Sequence, residues 1–345
     1  MAGLYTRRGN SAAIRALAIC LGLLVLIALP LFAAGQREAR PVELRIATIL
    51  PERSDLGDAM EMFKGLVEER SNGEIQVIAY YGAALGDEES ALEQVSTNDI
   101  QMSVGGDAVV IWYAPEYDVT SIPFLFDDGQ AVFDLTIYLL EEDVNELLID
   151  RANLRVLAGS RRAPRNLLTV DRRIETPQDV QGLNMRLPPY ESWVKAWEHL
   201  GAHPHPIAAA EQFSALEMGV VAATENPLNT LYNLRLHEPT NYVILTEHLH
   251  DVRLWSISEQ FYQGLSDGHR SIVEQSVSEA AAWLTNRNLE VDQEYVARMR
   301  EEGLEIVVPD RAAFSAAVRP VVDELRATWA PGLYENYVAP LLGIE

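Results

Sequence analysis

Between Gly268 and Gly303 the chain contains 34 consecutive residues without glycine or proline. Glycine is common just beyond the ends of helices, and the stretch between these two glycines contains no glycine or proline that would interrupt a helix. A single α-helix of this length extends about 50 Å, at a rise of 1.5 Å per residue. We therefore predict one helix, over residues 269–302, that is long enough to cross a protein of two lobes.

Strand and helix patterns alternate in the first third of the chain. Apolar residues alternate with polar ones at residues 44–48, 75–81 and 100–104, which predicts three strands. An amphipathic helix is predicted between the first two strands, at residues 55–70, and a short helix capped by Asp87 precedes the third. A β-α-β-α-β order of this kind predicts an α/β protein with a parallel-rich sheet.

The first 35 residues have the pattern of a secretory signal peptide. Basic residues without acids come first, an apolar run extends from Ala16 to Ala34, and small residues precede Gly35. This order is typical of a cleaved signal. The apolar run is also long enough to span a bilayer, so an uncleaved membrane anchor is the alternative. Both forms predict export, and we expect a periplasmic protein.

The composition argues against several classes of protein. Lys and Arg number 27 against 51 Asp and Glu, which gives a formal net charge of −24. Such a charge repels polyanions and argues against nucleic-acid binding. Cys20, the single cysteine, lies in the N-terminal apolar run, so neither a disulfide framework nor a thiolate metal site is expected.

The usual signatures of catalysis are missing from the sequence. It contains no G-x-G-x-x-G or P-loop motif and no G-x-S-x-G nucleophile motif, which leaves nucleotide binding and serine hydrolysis without support. The H-x-H pairs at residues 203–205 and 248–250 could place two rings on one face of a strand. Pro204 and Pro206 predict an irregular loop for the first pair, and solvated or capping histidines are expected at both. We predict no enzymatic activity, no metal site and no cofactor.

The charge of the chain is locally reversed between residues 151 and 186. This segment holds eight arginines, three acids and no lysine, and arginine can grip a carboxylate through two parallel donors. Arg186 stands among apolar residues of a predicted strand at residues 183–187. A buried guanidinium needs a partner, and the pattern leaves two open: an internal acid or the carboxylate of a ligand. Most of Arg161, Arg162, Arg172 and Arg173 are expected to be exposed.

Asn226 is a second polar candidate for a binding site. It precedes Pro227, where a helix is predicted to begin, so Asn226 would be an N-cap residue that either faces a bound anion or only caps the helix. One or two aromatic side chains near these positions are expected to line a ligand. The candidates are Trp112, Tyr190, Trp193, Phe213, Tyr232 and Trp255.

Six motifs follow one another in a characteristic order. They are FKGLVEERSNG at 63–73, LGDE at 85–88, IPFLF at 122–126, RNL at 165–167, TPQDVQGLNMRLP at 176–188 and ENPL at 225–228. Together they resemble the periplasmic solute-binding proteins of TRAP (tripartite ATP-independent periplasmic) transporters, of the dicarboxylate-binding type. The resemblance extends over residues 43–330.

This resemblance implies the two-lobe fold of periplasmic binding proteins, with the long helix bracing both lobes. The first lobe would comprise residues 40–162 and 252–291, and the second residues 163–251 and 292–345. The side chains implied in binding are Arg186, as the bidentate partner of a ligand carboxylate, then Arg165, Asn226 and Asp87.

We accordingly predict a monomeric protein that captures an organic acid between its lobes and delivers it to the membrane subunits of a TRAP transporter. The alternative is a binding protein that presents a metabolite to a receptor or sensor kinase. Departures from the family pattern at Ala209, Gly106 and residues 222–224 disfavour sialic acid. They favour another monocarboxylate or dicarboxylate, with an apolar or aromatic body near Trp112 or Trp193.

Overall fold

Two β-sheets with helices packed on them form the protein. The structure is a computed structural model and describes residues 40–344, so the predicted signal peptide and Cys20 lie outside the described residues. Within this described range no helix is both long and apolar enough to span a membrane. The main helices are Asp55–Arg70, Glu88–Ser96, Ala108–Tyr113, Gly129–Leu139, Asn145–Ala152, Glu191–His199, Gln212–Glu217, Leu228–Asn233, Glu259–Gly264, Asp267–Glu301 and Arg311–Leu325.

The first sheet has five strands in the order β2-β1-β3-β10-β4. Their bounds are β1 Val42–Ala47, β2 Ile75–Tyr80, β3 Met102–Gly105, β4 Leu154–Arg161 and β10 Val252–Ser258. β1 and β3 are parallel, as the β-α-β pattern predicts. β10 is antiparallel to both of its neighbours, β3 and β4. We call the part of the molecule built on this sheet the first lobe.

The second sheet has six strands in the order β11-β9-β5-β8-β6-β7. Their bounds are β5 Arg165–Thr169, β6 Asn184–Leu187, β7 His203–Pro206, β8 Ala223–Pro227, β9 Tyr242–Leu249 and β11 Glu305–Val307. β6 is parallel to β7 and β8, whereas β5 is antiparallel to β8 and β9. This sheet and the helices on it form the second lobe.

Two short segments of chain lead directly from one sheet to the other. Residues 162–164 join β4 to β5, and residues 250 and 251 join β9 to β10. The strands that follow these crossings, β5 and β10, are the antiparallel strands of their sheets. Side chains at the crossings therefore lie where the two lobes meet.

The long helix is confirmed and extends from Asp267 to Glu301. The Ser266 hydroxyl caps it by accepting a hydrogen bond from the His269 amide at 3.1 Å. The helix packs against the helix Asp55–Arg70 and β4 in the first lobe and against the helix Leu228–Asn233 in the second. It braces both lobes, as the sequence predicts.

The motif at residues 122–126 connects the lobes through its central aromatic residue. Phe124 lies in the segment before the helix Gly129–Leu139 and stacks on Phe314 of the second lobe, with ring centroids 4.8 Å apart. Its ring also contacts Trp197 and His248. Because these rings are buried, they join the two lobes by apolar packing.

Two local expectations differ from the structure. Asn226 is not an N-cap residue: it lies within β8, and Pro227 takes the N-cap position of the helix that follows. The segment from His203 to Pro206 forms β7 rather than an irregular loop. An edge position explains this strand, since β7 pairs with β6 on one side only and an edge strand tolerates proline.

Candidate functional site

A cavity lies where the two lobes meet, and residues of both sheets line it. About 50 Å³ of it can hold the centre of a water molecule. Its charged and polar walls come from Glu88, Asp107, Arg162, Arg165, Arg186, Tyr190, Gln212, Asn226, Thr230, Asp251 and Arg253.

Arg186 lies in β6, and its side chain faces the cavity. The residue is 3% exposed, and its Nε donates a hydrogen bond to the Ile207 carbonyl oxygen at 2.7 Å. In the described part of the chain no Asp or Glu oxygen lies within 4.0 Å of its guanidinium. Burial accordingly lowers the pKa of Arg186 to about 10. Of the two partners that the sequence leaves open, the internal acid is not found.

Arg165 lines the same cavity but is fully engaged with acids. Its Nε and Nη2 contact the two carboxylate oxygens of Glu225 at 2.6 and 2.8 Å, and its Nη1 contacts Asp251 at 2.9 Å. Burial acts to lower the pKa of Arg165, but the charges of Glu225 and Asp251 outweigh it and raise the pKa. The same ion pair holds the pKa of Glu225 well below its usual range despite burial. Arg165 is therefore held in place as part of the cavity wall.

Arg162 is a residue that the sequence reasoning missed, because it was grouped with exposed arginines. It is 6% exposed and pairs with Asp251. Its Nη2 lies 3.3 Å from the side-chain oxygens of Asn226 and Thr230. Asn226 thus lines the cavity, with its side-chain carbonyl oxygen turned toward Arg162.

Arg253 was also missed, and among the described arginines that line the cavity it is the second one without an acidic partner. It lies in β10, is 6% exposed and lines the cavity. Within residues 40–344 its side chain makes no hydrogen bond and has no carboxylate oxygen within 4.0 Å. Burial lowers its pKa to about 9. The sequence signal was available, since Arg253 stands among apolar strand residues as Arg186 does.

Two acids that were not predicted line the cavity from the first lobe. Glu88 accepts hydrogen bonds from the Gly106 amide and, at 3.2 Å, from the Tyr190 hydroxyl of the second lobe. Burial and then the charge of Asp251 raise the pKa of Asp107 to about 7. Both acids can hold the hydroxyl groups of a ligand, Glu88 as an acceptor and Asp107 as an acceptor or, when protonated, a donor.

Asp87, one of the side chains implied in binding, has a local role in the structure. Its carboxylate caps the helix Glu88–Ser96 by accepting hydrogen bonds from the Ser90 amide at 2.9 Å and the Ser90 hydroxyl at 2.7 Å. It lines an adjoining cavity together with Trp112. The next residue, Glu88, is the one that faces the main cavity.

Four of the six aromatic candidates, Trp112, Tyr190, Trp193 and Phe213, have different surroundings. Tyr190 and Trp193 line the main cavity, and the Arg165 guanidinium lies 4.6 Å from the centre of the Trp193 ring. Trp112 contacts Tyr190 edge to face, with centroids 5.6 Å apart. Phe213 is away from the cavity wall and packs against the apolar core of the second lobe. Because the neighbours of Phe213 are apolar, core packing explains its position and no ligand contact is needed.

The donor set of the cavity suits an anion rather than a metal. In the described range no group of three or more His, Cys, Asp or Glu side chains could hold a metal ion. His248 is buried and hydrogen-bonds to Thr246 at 2.7 Å and to Glu225 at 3.2 Å, so it belongs to the ion-pair network. Among the described residues, the buried guanidiniums that face the cavity without an acidic partner are those of Arg186 and Arg253.

Comparison with known proteins places this geometry in a family. The model of the bacterial extracellular solute-binding proteins, family 7, matches residues 46–328. The chain belongs to this family. Its resemblance to TRAP solute-binding proteins is thereby confirmed, and members of this family are binding proteins for transport.

Individual relatives are similar over most of their length. A solute-binding protein of Roseobacter denitrificans is 27% identical over 87% of this chain and 92% of its own. A TRAP solute-binding protein of Ochrobacterium anthropi with bound L-fuconate has 27% identity and a TM-score of 0.81, covering 87% of this chain and 99% of that one. One of Roseobacter denitrificans with bound L-galactonate has 26% identity and a TM-score of 0.78, covering 84% and 98%. These relatives confirm the two-lobe fold and do not favour the sensor alternative.

Proposed function

We propose that this protein captures an organic acid in the cavity between its lobes and delivers it to the membrane subunits of a TRAP transporter. The observation that carries the proposal is Arg186, a guanidinium that is 97% buried, lines the cavity and has no acidic partner within 4.0 Å in the described range. An isolated buried charge is strongly unfavourable, so a carboxylate that pairs with it contributes much of its binding energy there.

Polyhydroxylated acids fit the walls of the cavity better than the apolar or aromatic ligand that the sequence favours. The face of Trp193 is occupied by the Arg165 guanidinium, and Trp112 packs against Tyr190. The remaining walls offer hydrogen-bonding groups, among them Glu88 and Gln212. Two relatives were solved with L-fuconate and L-galactonate, which are acids of this kind.

Binding is coupled to closure of the lobes in this proposal. Arg186 and Asn226 belong to the second lobe, while Glu88 and Arg253 belong to the first, so a ligand that contacts all four stabilises the closed arrangement. The hinges are the two crossings, near residues 162 and 251, which are the predicted lobe boundaries. The closed form is the one that membrane subunits would recognise, and the protein performs no chemistry on its ligand.

The binding assay compares the wild-type protein with Arg186→Gln by isothermal titration calorimetry. L-Galactonate and L-fuconate are titrated, with the neutral polyol galactitol as the uncharged control. At least one of the two acids is expected to bind the wild-type protein, whereas galactitol is not expected to bind. Arg186→Gln should weaken acid binding at least tenfold because a desolvated charge pair is lost. Arg235→Gln, in which an exposed arginine is changed, serves as the matched control and leaves affinity unaltered. Equal affinity of the wild type and Arg186→Gln would overturn the proposal.

A further inference from the structure

The four arginines around the cavity fall into two classes. Arg162 and Arg165 are paired with Asp251, and Arg165 is paired with Glu225 as well. Arg186 and Arg253 are equally buried, at 3% and 6% exposure, but have no acid within 4.0 Å among the described residues. The fold therefore satisfies two of its buried guanidiniums internally and leaves two facing the same cavity.

The two unpaired guanidiniums come from opposite lobes. Arg186 lies in β6 of the second sheet and Arg253 in β10 of the first. Both line the one cavity. A single small molecule in this cavity can therefore meet a guanidinium from each lobe.

The acids that line the cavity do not replace the missing partners. The Glu88 carboxylate already accepts hydrogen bonds from the Gly106 amide and the Tyr190 hydroxyl. Asp107 also lies beyond 4.0 Å from every arginine in the described part of the chain. A ligand whose single carboxylate meets Arg186 alone leaves Arg253 buried without a partner, which is unfavourable.

We propose that Arg253 is a second anion-binding residue and that the ligand carries two acidic groups, one at Arg186 and one at Arg253. The inference rests on the proposed function, because it assumes that the cavity binds an organic acid. The second group is a carboxylate or a phosphate monoester, since the planar donors of arginine suit the oxygens of both. Arg253 is thus a specificity-determining residue that separates diacids from monoacids.

Matched acids test this proposal directly. Gluconate, glucarate and 6-phosphogluconate share one six-carbon chain and differ at the far end, which is a hydroxyl, a carboxylate or a phosphate. Galactonate and galactarate form a second pair. Each is titrated calorimetrically into the wild-type protein. At least one diacid is expected to bind at least ten times more tightly than its matched monoacid. Whether that diacid is a dicarboxylate or the phosphate ester shows which second acidic group Arg253 prefers.

Two variants assign this preference to the residue. Arg253→Met is expected to lower diacid affinity more than monoacid affinity, so that the preference falls below about threefold. Arg253→Lys keeps the positive charge and is expected to retain part of the preference for diacids. This variant also tests the proposal if Arg253→Met does not fold. Arg235→Met, at an exposed site, keeps the full preference. The midpoint of thermal unfolding is recorded for each variant.

Failure of the inference differs from failure of the proposed function. If monoacids bind as tightly as every matched diacid and Arg186→Gln weakens both, the cavity binds acids but the role of Arg253 is wrong. A preference for diacids that persists in Arg253→Met would likewise show that the proposed role of Arg253 is wrong. If no acid binds, or if Arg186→Gln changes no affinity, the proposed function itself is wrong.

Discussion

Arg165 and Glu225 form a bidentate ion pair in the wall of the cavity, with Nε–Oε2 and Nη2–Oε1 distances of 2.6 and 2.8 Å. The pair connects β5 to the neighbouring strand β8, and Asp251 extends it to the crossing between the lobes. Both side chains are at most 5% exposed. In this structure the pair belongs to the buried framework at the lobe crossing, whereas Arg186 has no acid within 4.0 Å among the described residues.

Replacement of Arg165 by methionine should therefore destabilise the protein strongly. Removal of one partner leaves the other charge buried and uncompensated, which costs about 3–5 kcal/mol of unfolding free energy. Urea denaturation monitored by circular dichroism measures this. Arg235→Met removes the exposed pair of Arg235 with Glu238 and should change the unfolding free energy far less, because exposed ion pairs contribute little to stability. A similar small loss for Arg165→Met would contradict a framework role.

Asp107 should make stability depend on pH. Burial and the charge of Asp251 raise its pKa from 3.8 to about 7 in the folded protein. The folded state then holds this proton more tightly than the unfolded state, so the contribution to stability is lost as pH rises from about 4 to about 7, by at most about 1.4 kcal/mol per pH unit. Asp107→Asn removes this dependence.

The measurement for Asp107 is the unfolding free energy of wild type and variant at several pH values between 4 and 8. The advantage of Asp107→Asn over the wild type should grow with pH across this range. Asp171→Asn, at an exposed position, is the control and should show no such trend. A difference between Asp107→Asn and wild type that stays constant with pH would refute the assignment.

The sequence was sufficient where a feature depends on neighbouring residues. The long helix follows from a stretch without glycine or proline, and the burial of Arg186 follows from its apolar strand neighbours. The same local signal marks Arg253 in β10, but this residue lies outside the arginine-rich segment at residues 151–186. Local pattern thus identifies a buried guanidinium but not its partner.

Partner choice required the structure because it depends on residues far apart in the chain. Glu225 and Asp251 follow Arg165 by 60 and 86 positions, and no local pattern indicates that they meet it rather than Arg186. Asn226 shows the same limit: its Asn-Pro sequence is compatible with an N-cap, but pairing of β8 with β5 places it in a strand. Tertiary contacts decided both cases.

Tyr190 gives a test of lobe closure. Its hydroxyl, on the second lobe, donates a hydrogen bond to Glu88 Oε2 on the first at 3.2 Å. Tyr190→Phe removes this contact and leaves the ring in place, so it should weaken binding of an acid ligand about three- to tenfold, since one hydrogen bond contributes about 0.5–1.5 kcal/mol. The change should appear mainly as faster dissociation, measured by stopped-flow fluorescence.

Tyr81→Phe is the control variant. It removes a hydrogen bond to Glu61 of 2.6 Å within the first lobe and should leave dissociation of the ligand unchanged. Equal effects of the two variants would show that the Tyr190 contact does not hold the lobes closed.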